Sequence, residues 1–385
     1  MPFPQATSRL PVAGFYLLYF GTVGITQPFL PAYLRSLALS TTQVGLLLAL
    51  TPLMGLFAPY FWGYLADRTG HPSRVLTGVV LGLFACFSPL LSIERFSFLV
   101  AAFAAFAAFA SSVTPLIDSL ALQHVARAGG SYAHLRLFGS LGFVLSSTAF
   151  GLAVDHISRA TVLAALVLFG VLALWSFTLR ARSTPEGPLS PLSGLQFLGQ
   201  KDLRWLLAST SLHWIACTPY NGTFAIHVTA LGLPPSIVGL SFGLGVTAEV
   251  AVMLLYPRVA ERIAPRHLLA LAFAASALRW AGLALVQSPA ALVTLNLLHG
   301  MTFGAFYVSA IAFVARRVPA HLRASGQALF SAATFGLGGL VGYATVGAAY
   351  DWLGGHRLFA VAAVLELVAA TCVLRISPEK TAPPA

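Results

Sequence analysis

The stretch FSFLVAAFAAFAAFASSVTPLIDSLAL, residues 96–122, decides the fold class of this chain. It carries one ionisable side chain, Asp118. A run of this length crosses a bilayer as a helix, which needs about 20 residues, whereas a barrel strand needs about 9–11. The rest of the chain has the same character, since 58% of its 385 residues are hydrophobic and 9% are charged. This composition excludes a soluble globular protein, in which about 25% of the residues are charged.

Twelve apolar segments follow one another along the chain, so the sequence predicts an all-α membrane protein with twelve transmembrane helices. The longest hydrophilic break, from Arg180 to Asp202, predicts an N-terminal six-helix half (1–180), a linker (181–203) and a C-terminal six-helix half (204–385). So many spans leave no room for a separate catalytic or nucleic-acid-binding domain. The segments are 11–34, 42–65, 74–92, 96–122, 134–154, 160–180, 204–230, 236–258, 267–286, 290–315, 325–349 and 356–376.

The excess of 22 Lys and Arg over 11 Asp and Glu has a membrane explanation. If both termini are cytoplasmic, sixteen basic residues fall in cytoplasmic segments, as the positive-inside rule requires. We therefore expect an integral protein of the bacterial plasma (inner) membrane. Its expected partners are a small-molecule substrate, protons and the lipid bilayer, without nucleic acid, and we expect a monomer. Three isolated cysteines predict neither a disulfide nor a metal site, and no cofactor is predicted.

A weak internal repeat supports the division into halves. GYLADR at 63–68 ends the second segment and PRVAER at 257–262 ends the eighth, so that Asp67 and Glu261 are 194 residues apart. Two equal halves with the same loop chemistry are typical of a duplicated transporter fold.

The run Gly63-Tyr-Leu-Ala-Asp-Arg-Thr-Gly70 resembles the loop between helices 2 and 3 of the major facilitator superfamily. His71 and Pro72 stand where that family usually has basic residues. We expect the Asp67 carboxylate to lie against the positive N-terminus of the eleventh helix, near Ser325, and to latch one face closed. The alternative is a solvated loop charge. The predicted gating residues are Gly63, Asp67, Arg68, Gly70, Arg74, Glu261 and Arg262.

Three further stretches resemble the clade of that superfamily that contains lactose permease, the phenylpropionate permeases and the nucleoside–proton symporters. They are PFLPAYL at 28–34, RLFGSLGF at 136–143 and RASGQAL at 323–329. The resemblance implies a secondary active transporter, not an enzyme, that moves a sugar, a nucleoside or an aromatic acid by alternating access and proton symport. A proton-antiport exporter of drugs or metabolites is one alternative. A non-transporting membrane receptor or sensor is another.

Ionisable side chains inside apolar segments are costly and therefore functional candidates. Asp118 and Arg136 are 18 residues apart across a turn at 123–133, so they should lie at a similar depth and form an ion pair. The resemblance implies that this pair holds substrate hydroxyls. The alternative is a pair that only fixes two helices. The predicted substrate-binding residues are Asp118, Arg136, Phe143, Gln27, Tyr220, Asn221 and Asn296.

Arg279 and His299 are 20 residues apart around Pro289, which places both near the midplane. With Glu249 they resemble the proton-coupling cluster of lactose permease. The coupling carboxylate that the family carries three residues after the histidine is Thr302 here, so the proton falls to Glu249 or His299, or the transporter is uncoupled. Three further residues are weaker candidates, and one of them, Glu366, is expected to face a lipid headgroup or a neighbouring helix. The three are His213, His227 and Glu366.

Overall fold

The computed structural model describes residues 9–93, 95–180, 195–319 and 322–377, and the regular structure in these ranges is helical. The helices of the N-terminal half are α1 (Leu10–Ser36), α2 (Thr41–Gly55), α3 (Ala58–Thr69), α4 (Pro72–Phe87), α5 (Phe96–Ala128), α6 (Tyr132–Ala153) and α7 (Arg159–Ser176). Those of the C-terminal half are α8 (Lys201–Ala230), α9 (Pro235–Ala260), α10 (Pro265–Leu285), α11 (Pro289–Thr294), α12 (Phe306–Arg317), α13 (Arg323–Ser331) and α14 (Gly339–Leu374). Two π-helical segments precede α12 and α14, at Gly300–Ala305 and Ala332–Gly338.

The described helices are consistent with the twelve predicted spans. Nine helical stretches in these ranges are long and apolar enough to cross a membrane. One of them, Ser325–Leu374, holds two spans, because Gly354 interrupts it with φ +73°. The helices α1 and α8 are 27 and 30 residues long and more polar. The all-helical prediction is confirmed, whereas the domain division stays a prediction and residues 181–194 of the predicted linker lie outside the described ranges.

Two faces of the helix bundle can be distinguished by the loops that they carry. We call the side where the described ranges begin and end, at residues 9 and 377, the terminal face; there Ser377 N–H donates to the Asp202 carboxylate, which also pairs with Arg317. We call the opposite side the distal face. It carries the turn at 37–40, where a capping box formed by Ser40 and Gln43 starts α2.

The two halves are packed backbone to backbone near the distal face. A Cβ added to Gly347 of α14 would lie 2.1 Å from the Thr41 carbonyl oxygen of α2, and one added to Gly239 of α9 would lie 2.4 Å from the Ser147 carbonyl oxygen of α6. Such close approaches require glycine at these positions. Toward the terminal face α3 packs on α4 and α5 of its own half, and α13 packs on α12. The molecule is therefore closed at the distal face, and its halves part toward the terminal face.

Candidate functional site

A cavity lies between the two halves and encloses about 810 Å³, including the part open to solvent. Both halves supply its wall, and Gln27 Nε2 donates to Asn221 Oδ1 at 3.3 Å across the junction. Two predicted residues, Asp118 and Asn296, do not line the cavity. The predicted residues that do line it are Gln27, Arg136, Phe143, Tyr220, Asn221, Glu249, Arg279 and His299.

The predicted ion pair between Asp118 and Arg136 is wrong for this conformation. Within the described ranges no salt bridge joins the two side chains, because Tyr16 of α1 takes the carboxylate. The Tyr16 hydroxyl donates to Asp118 Oδ1 at 2.5 Å, and the Arg136 guanidinium lies 5.8 Å from the Tyr16 ring centroid. Asp118 therefore orients Tyr16, a fully buried tyrosine behind the cavity wall, and does not itself line the cavity.

Arg136 is left as a cation that faces the cavity. Its Cζ atom lies 3.8 Å from the centroid of the Phe20 ring, a cation–π contact. Among the described residues no hydrogen bond of the guanidinium is found, although the group carries five N–H donors. Phe143 and Trp214 line the same space. The wall thus combines free cationic donors with aromatic surfaces. The sequence did not predict the roles of Tyr16 and Phe20, because they lie on a helix without charges at this depth.

In the C-terminal half, Arg279 of α10 is held inside the protein. It is 1% exposed, stacks 4.3 Å from the Tyr220 ring centroid, and donates from Nη2 to Asn296 Oδ1. Asn296 in turn donates to the Leu292 carbonyl at 2.7 Å. Asn296 thus supports the arginine from behind the cavity wall and does not line the cavity in this conformation.

The same arginine begins a chain of polar groups that reaches the cavity. Arg279 Nη1 lies 3.1 Å from His299 Nδ1, and His299 Nε2 lies 3.5 Å from Glu249 Oε2. Because a guanidinium can only donate, Nδ1 must accept, and the ring proton is then on Nε2 and points toward Glu249. The predicted cluster of Glu249, Arg279 and His299 is therefore brought together, with a neutral histidine between the two charges.

Glu366 does not face a lipid headgroup. Its side chain and that of His213 are both fully buried, with His213 Nδ1 2.8 Å from Glu366 Oε2. Trp280 Nε1 donates to Glu366 Oε1 at 3.0 Å. The third weak candidate, His227, lies near the distal face, where its ring packs edge-on against His356 at 4.8 Å.

The predicted gating residues lie at the terminal face and are exposed or partly exposed. Gly70 ends α3 with φ +64°, a left-handed conformation that glycine adopts without strain. Arg74 lines a basic surface pocket with Arg127 and Arg180. Asp67 is exposed, and no hydrogen bond or salt bridge from its side chain to α13 is found among the described residues. The latch stays a prediction, and the remaining residues of the set are Gly63, Arg68, Glu261 and Arg262.

A latch that the sequence analysis missed closes the distal face. Asp351 Oδ2 accepts hydrogen bonds from Thr42 N–H at 3.0 Å and from Thr42 Oγ1 at 2.9 Å. Thr42 lies in the first turn of α2, where unpaired N–H groups and the helix dipole favour a negative charge. Asp351 comes from the distal end of the eleventh span, so the contact joins the halves. It is a contact of the kind that was predicted for Asp67, with a carboxylate of one half at the N-terminus of a helix of the other half.

We expect Asp351→Asn to weaken closure of the distal face. Loss of a charge at a helix N-terminus is worth about 0.3–2 kcal/mol, or roughly a 2- to 30-fold change in the ratio of open to closed molecules. Spin labels at Ala38 and Trp352, attached after Cys86 and Cys372 are replaced, would report the width of the distal face. We expect a larger population at long distance.

The matched control for this experiment is Ser288→Ala. Ser288 caps α11 at the same face by accepting the Ala291 N–H at 3.3 Å, but it joins residues of one half only. The control should leave the distance distribution unchanged. Equal distributions in Asp351→Asn and the unsubstituted protein would contradict the latch.

The helical fold, with a polar cavity between two halves, defines a membrane transporter of the major facilitator type. A family model described as "MFS_1 like family" matches residues 10–361, and the chain belongs to that family. It is an integral membrane protein and not an enzyme.

Two relatives and one solved structure are similar to this chain over most of its length. The chain is 30% identical over 335 residues to the "Maltose permease" of Geobacillus stearothermophilus, with 84% of this chain and 83% of that protein covered. It is 29% identical over 366 residues to the "Probable 3-phenylpropionic acid transporter" of Escherichia coli (strain K12), with 92% and 94% covered. A crystal structure of a mutant of the nucleoside transporter NupG superposes with a TM-score of 0.88 at 17% identity, covering 96% of this chain and all of that chain. The last similarity concerns the fold alone.

Proposed function

We propose that this protein is a proton symporter that imports a small organic carboxylate by alternating access. The observation that carries this proposal is the cavity itself. It places Arg136, a cation with free donors, in the same space as the chain of Glu249, His299 and Arg279. Arg136 is suited to bind an anion, and the chain of Glu249, His299 and Arg279 is suited to bind a proton.

The proposed orientation has both termini in the cytoplasm of a bacterial cell. It rests on the distribution of basic residues, which the positive-inside rule assigns to the terminal face. In that orientation the distal face is extracellular, and the closed contacts at Gly239 and Gly347 make this an inward-facing conformation. The chain is proposed to act as a monomer.

Within the substrate classes of the relatives, the cavity favours an aromatic acid. A carboxylate can take two parallel hydrogen bonds from a guanidinium, which are among the strongest in proteins. Aromatic rings such as Phe20, Phe143 and Trp214 would pack against the ring of the substrate. A sugar or nucleoside is the second candidate, because the amide pair of Gln27 and Asn221 offers donors and acceptors to hydroxyl groups.

The coupling of substrate transport to proton transport is proposed to depend on the positive charge of Arg279. This buried guanidinium needs a negative partner whenever the cavity closes, because an unpaired charge in the interior is costly. In the empty carrier, ionised Glu249 supplies that charge through His299. With the substrate carboxylate in the cavity, Glu249 can take up a proton. Substrate and proton then cross together, and the empty carrier returns with Glu249 ionised.

Two latches would alternate during this cycle. The Asp351 contact holds the distal face in the conformation described here. The Asp67 contact is proposed to form at the terminal face when the distal face opens. Each carboxylate would lie at the N-terminus of a helix of the opposite half, so the two conformations would be stabilised by contacts of the same kind.

Uptake by proteoliposomes tests the proposal. We would measure 3-phenylpropionate, maltose and uridine, each with and without an acidic exterior. We expect accumulation of 3-phenylpropionate only with the pH gradient. Accumulation of maltose or uridine instead would favour the second candidate. Uptake that is indifferent to the gradient would exclude proton symport, and substrate extrusion from vesicles with an acidic exterior would indicate an antiport exporter.

A further inference from the structure

We infer that His213 and Glu366 form a second proton-binding site, which is loaded with one proton in this conformation. The site lies behind the wall of the cavity, between α8 and α14. It rests on the proposed function for its role in transport, but the presence of the proton follows from hydrogen-bond geometry alone.

The proton count starts from the carbonyl of Thr302. His213 Nε2 lies 3.0 Å from that oxygen, and a carbonyl oxygen can only accept, so Nε2 carries a proton. The other ring nitrogen, Nδ1, lies 2.8 and 2.9 Å from the two oxygens of Glu366. A hydrogen bond at this distance needs a second proton, either on Nδ1 or on the carboxyl group. The pair therefore holds one proton more than a neutral histidine beside an ionised glutamate.

The apolar surroundings of the pair disfavour loss of this proton. Both side chains are 0% exposed, and the rings of Phe273 and Phe306 cover the imidazole at 4.8 and 4.3 Å. Without the shared proton the pair would carry a buried negative charge with no cation in hydrogen-bond contact, which is costly.

The titratable and charged groups around the pair are few. From α8 comes the Cys217 thiol, with Sγ 3.7 Å from His213 Nε2. From α10 comes Arg279, which stacks on Trp280, the tryptophan bound to Glu366. His299 contacts Arg279, and Glu249 contacts His299, so both are linked to the pair through Arg279. Arg279 is the cation that would balance Glu366 once the shared proton leaves.

A metal ion is a weaker interpretation of the same residues. The ligand atoms of His213, Cys217 and Glu366 lie within 4.8 Å of one another. Both nitrogens of the imidazole are already used, however, one by the Thr302 carbonyl and one by Glu366. The ring therefore has no lone pair directed at a shared centre, and the arrangement suits a proton.

The pair is connected to the cavity by residues that line it. Cys217, Trp280 and Thr302 each contact the pair and each border the cavity. Thr302 lies in the π-helical segment Gly300–Ala305. At the end of this segment the Phe306 N–H bonds to the Met301 and Phe303 carbonyls and not to that of Thr302, its α-helical acceptor, and the Thr302 carbonyl accepts from His213.

This π-helical segment gives the site a means of releasing its proton. Segments of this kind are frequent at functional sites. A return to α-helical bonding would direct the Thr302 carbonyl back to the helix and remove the acceptor that fixes His213. Movement of this part of the chain during alternating access would then change how firmly the pair holds its proton.

Two protons per carboxylate follow from two sites, with one at Glu249 and one at the pair. The coupling ratio can be measured in proteoliposomes with the membrane potential held at zero by potassium and valinomycin. A tenfold gradient of 3-phenylpropionate is balanced by about one pH unit if one proton accompanies each anion, and by about half a unit if two do. We expect about half a unit for the unsubstituted protein. A balance at one unit would overturn the second site while leaving the proposed symport intact.

Two variants locate the second proton. Glu366→Gln and His213→Gln should each move the balance point to about one pH unit. In Glu366→Gln the amide carries no proton to release, and in His213→Gln the buried carboxyl keeps its proton throughout the cycle because no imidazole shares it. The matched control is His267→Gln, since His267 is exposed at the terminal face and should leave half a unit. A balance point of half a unit in Glu366→Gln would overturn the assignment.

An infrared titration tests the pair without any transport. We expect a protonated carboxyl or imidazolium signal in the substrate-free protein that is lost as the pH rises. The signal should be missing from Glu366→Gln and present in His267→Gln, whereas His213→Gln should keep a protonated carboxyl because Glu366 remains buried without the imidazole. Identical titrations of the unsubstituted protein and Glu366→Gln would overturn the proposal. If 3-phenylpropionate is not transported, this measurement separates failure of the proposed function from failure of the proton site.

Discussion

Arg136→Gln is expected to reduce the affinity for 3-phenylpropionate by about 10- to 150-fold, because a hydrogen bond to a charged group contributes about 1.5–3 kcal/mol. Glutamine keeps a polar side chain of similar reach but has neither the charge nor the paired donors of a guanidinium. The guanidinium makes no salt bridge to Asp118 in this conformation, so its removal strands no buried partner and the protein should stay folded. Binding to the purified protein by calorimetry measures the effect.

Two further variants make this result specific. Arg136→Lys keeps the charge and loses the planar pair of donors, so its affinity should lie between those of Arg136→Gln and the unsubstituted protein. Phe138→Ala serves as a control for substitution on the same helix, because Phe138 is exposed and does not border the cavity. Normal affinity in Arg136→Gln would remove Arg136 from the binding site.

Glu249→Gln is expected to abolish accumulation driven by a pH gradient while exchange between equal pools continues. Glutamine has the shape and hydrogen bonding of the protonated acid but cannot supply a negative charge. With substrate bound, the substrate carboxylate balances Arg279 and the carrier can reorient. In the empty carrier Arg279 has no such partner in the cavity, so the return step is blocked. Glu366→Gln should not block the return step, because its neutral pair with His213 leaves no unbalanced charge in the empty or in the loaded carrier.

Paired uptake and exchange measurements on Glu249→Gln and His299→Gln test this expectation. Persistent gradient-driven uptake in Glu249→Gln together with its loss in His299→Gln would assign the proton to the histidine. Persistence in both variants would exclude this cluster as the coupling site. A loss of exchange as well as uptake in Glu249→Gln would show that Glu249 is needed for binding rather than for coupling.

The sequence was sufficient to predict the helices because each span is long and apolar, as the run at 96–122 shows. It also predicted depth, since residues equally far from a turn lie at similar levels; Arg279 and His299 accordingly meet. Depth does not fix the direction in which a side chain leaves its helix. Asp118 and Arg136 have matching depths, but a third helix places Tyr16 against the carboxylate.

Pairings between distant helices were beyond the sequence alone. His213 and Glu366 are 153 positions apart, and no periodicity indicates that α8 packs on α14. The internal repeat gives no signal for Asp351 either. It relates Asp67 to Glu261 on the terminal face, whereas the contact between Asp351 and Thr42 lies on the distal face.

The polar character of α8 has a consequence for how the chain enters the membrane. This helix carries Asn221 and the buried His213, and groups of this kind oppose the partitioning of an isolated helix into lipid. His213 gains its partner Glu366 only when α14 has been synthesised, 153 residues later. We therefore expect α8 to be held by the insertion machinery or by the earlier helices during translation. A chain truncated before α14 would expose an unsatisfied polar helix to quality-control proteases.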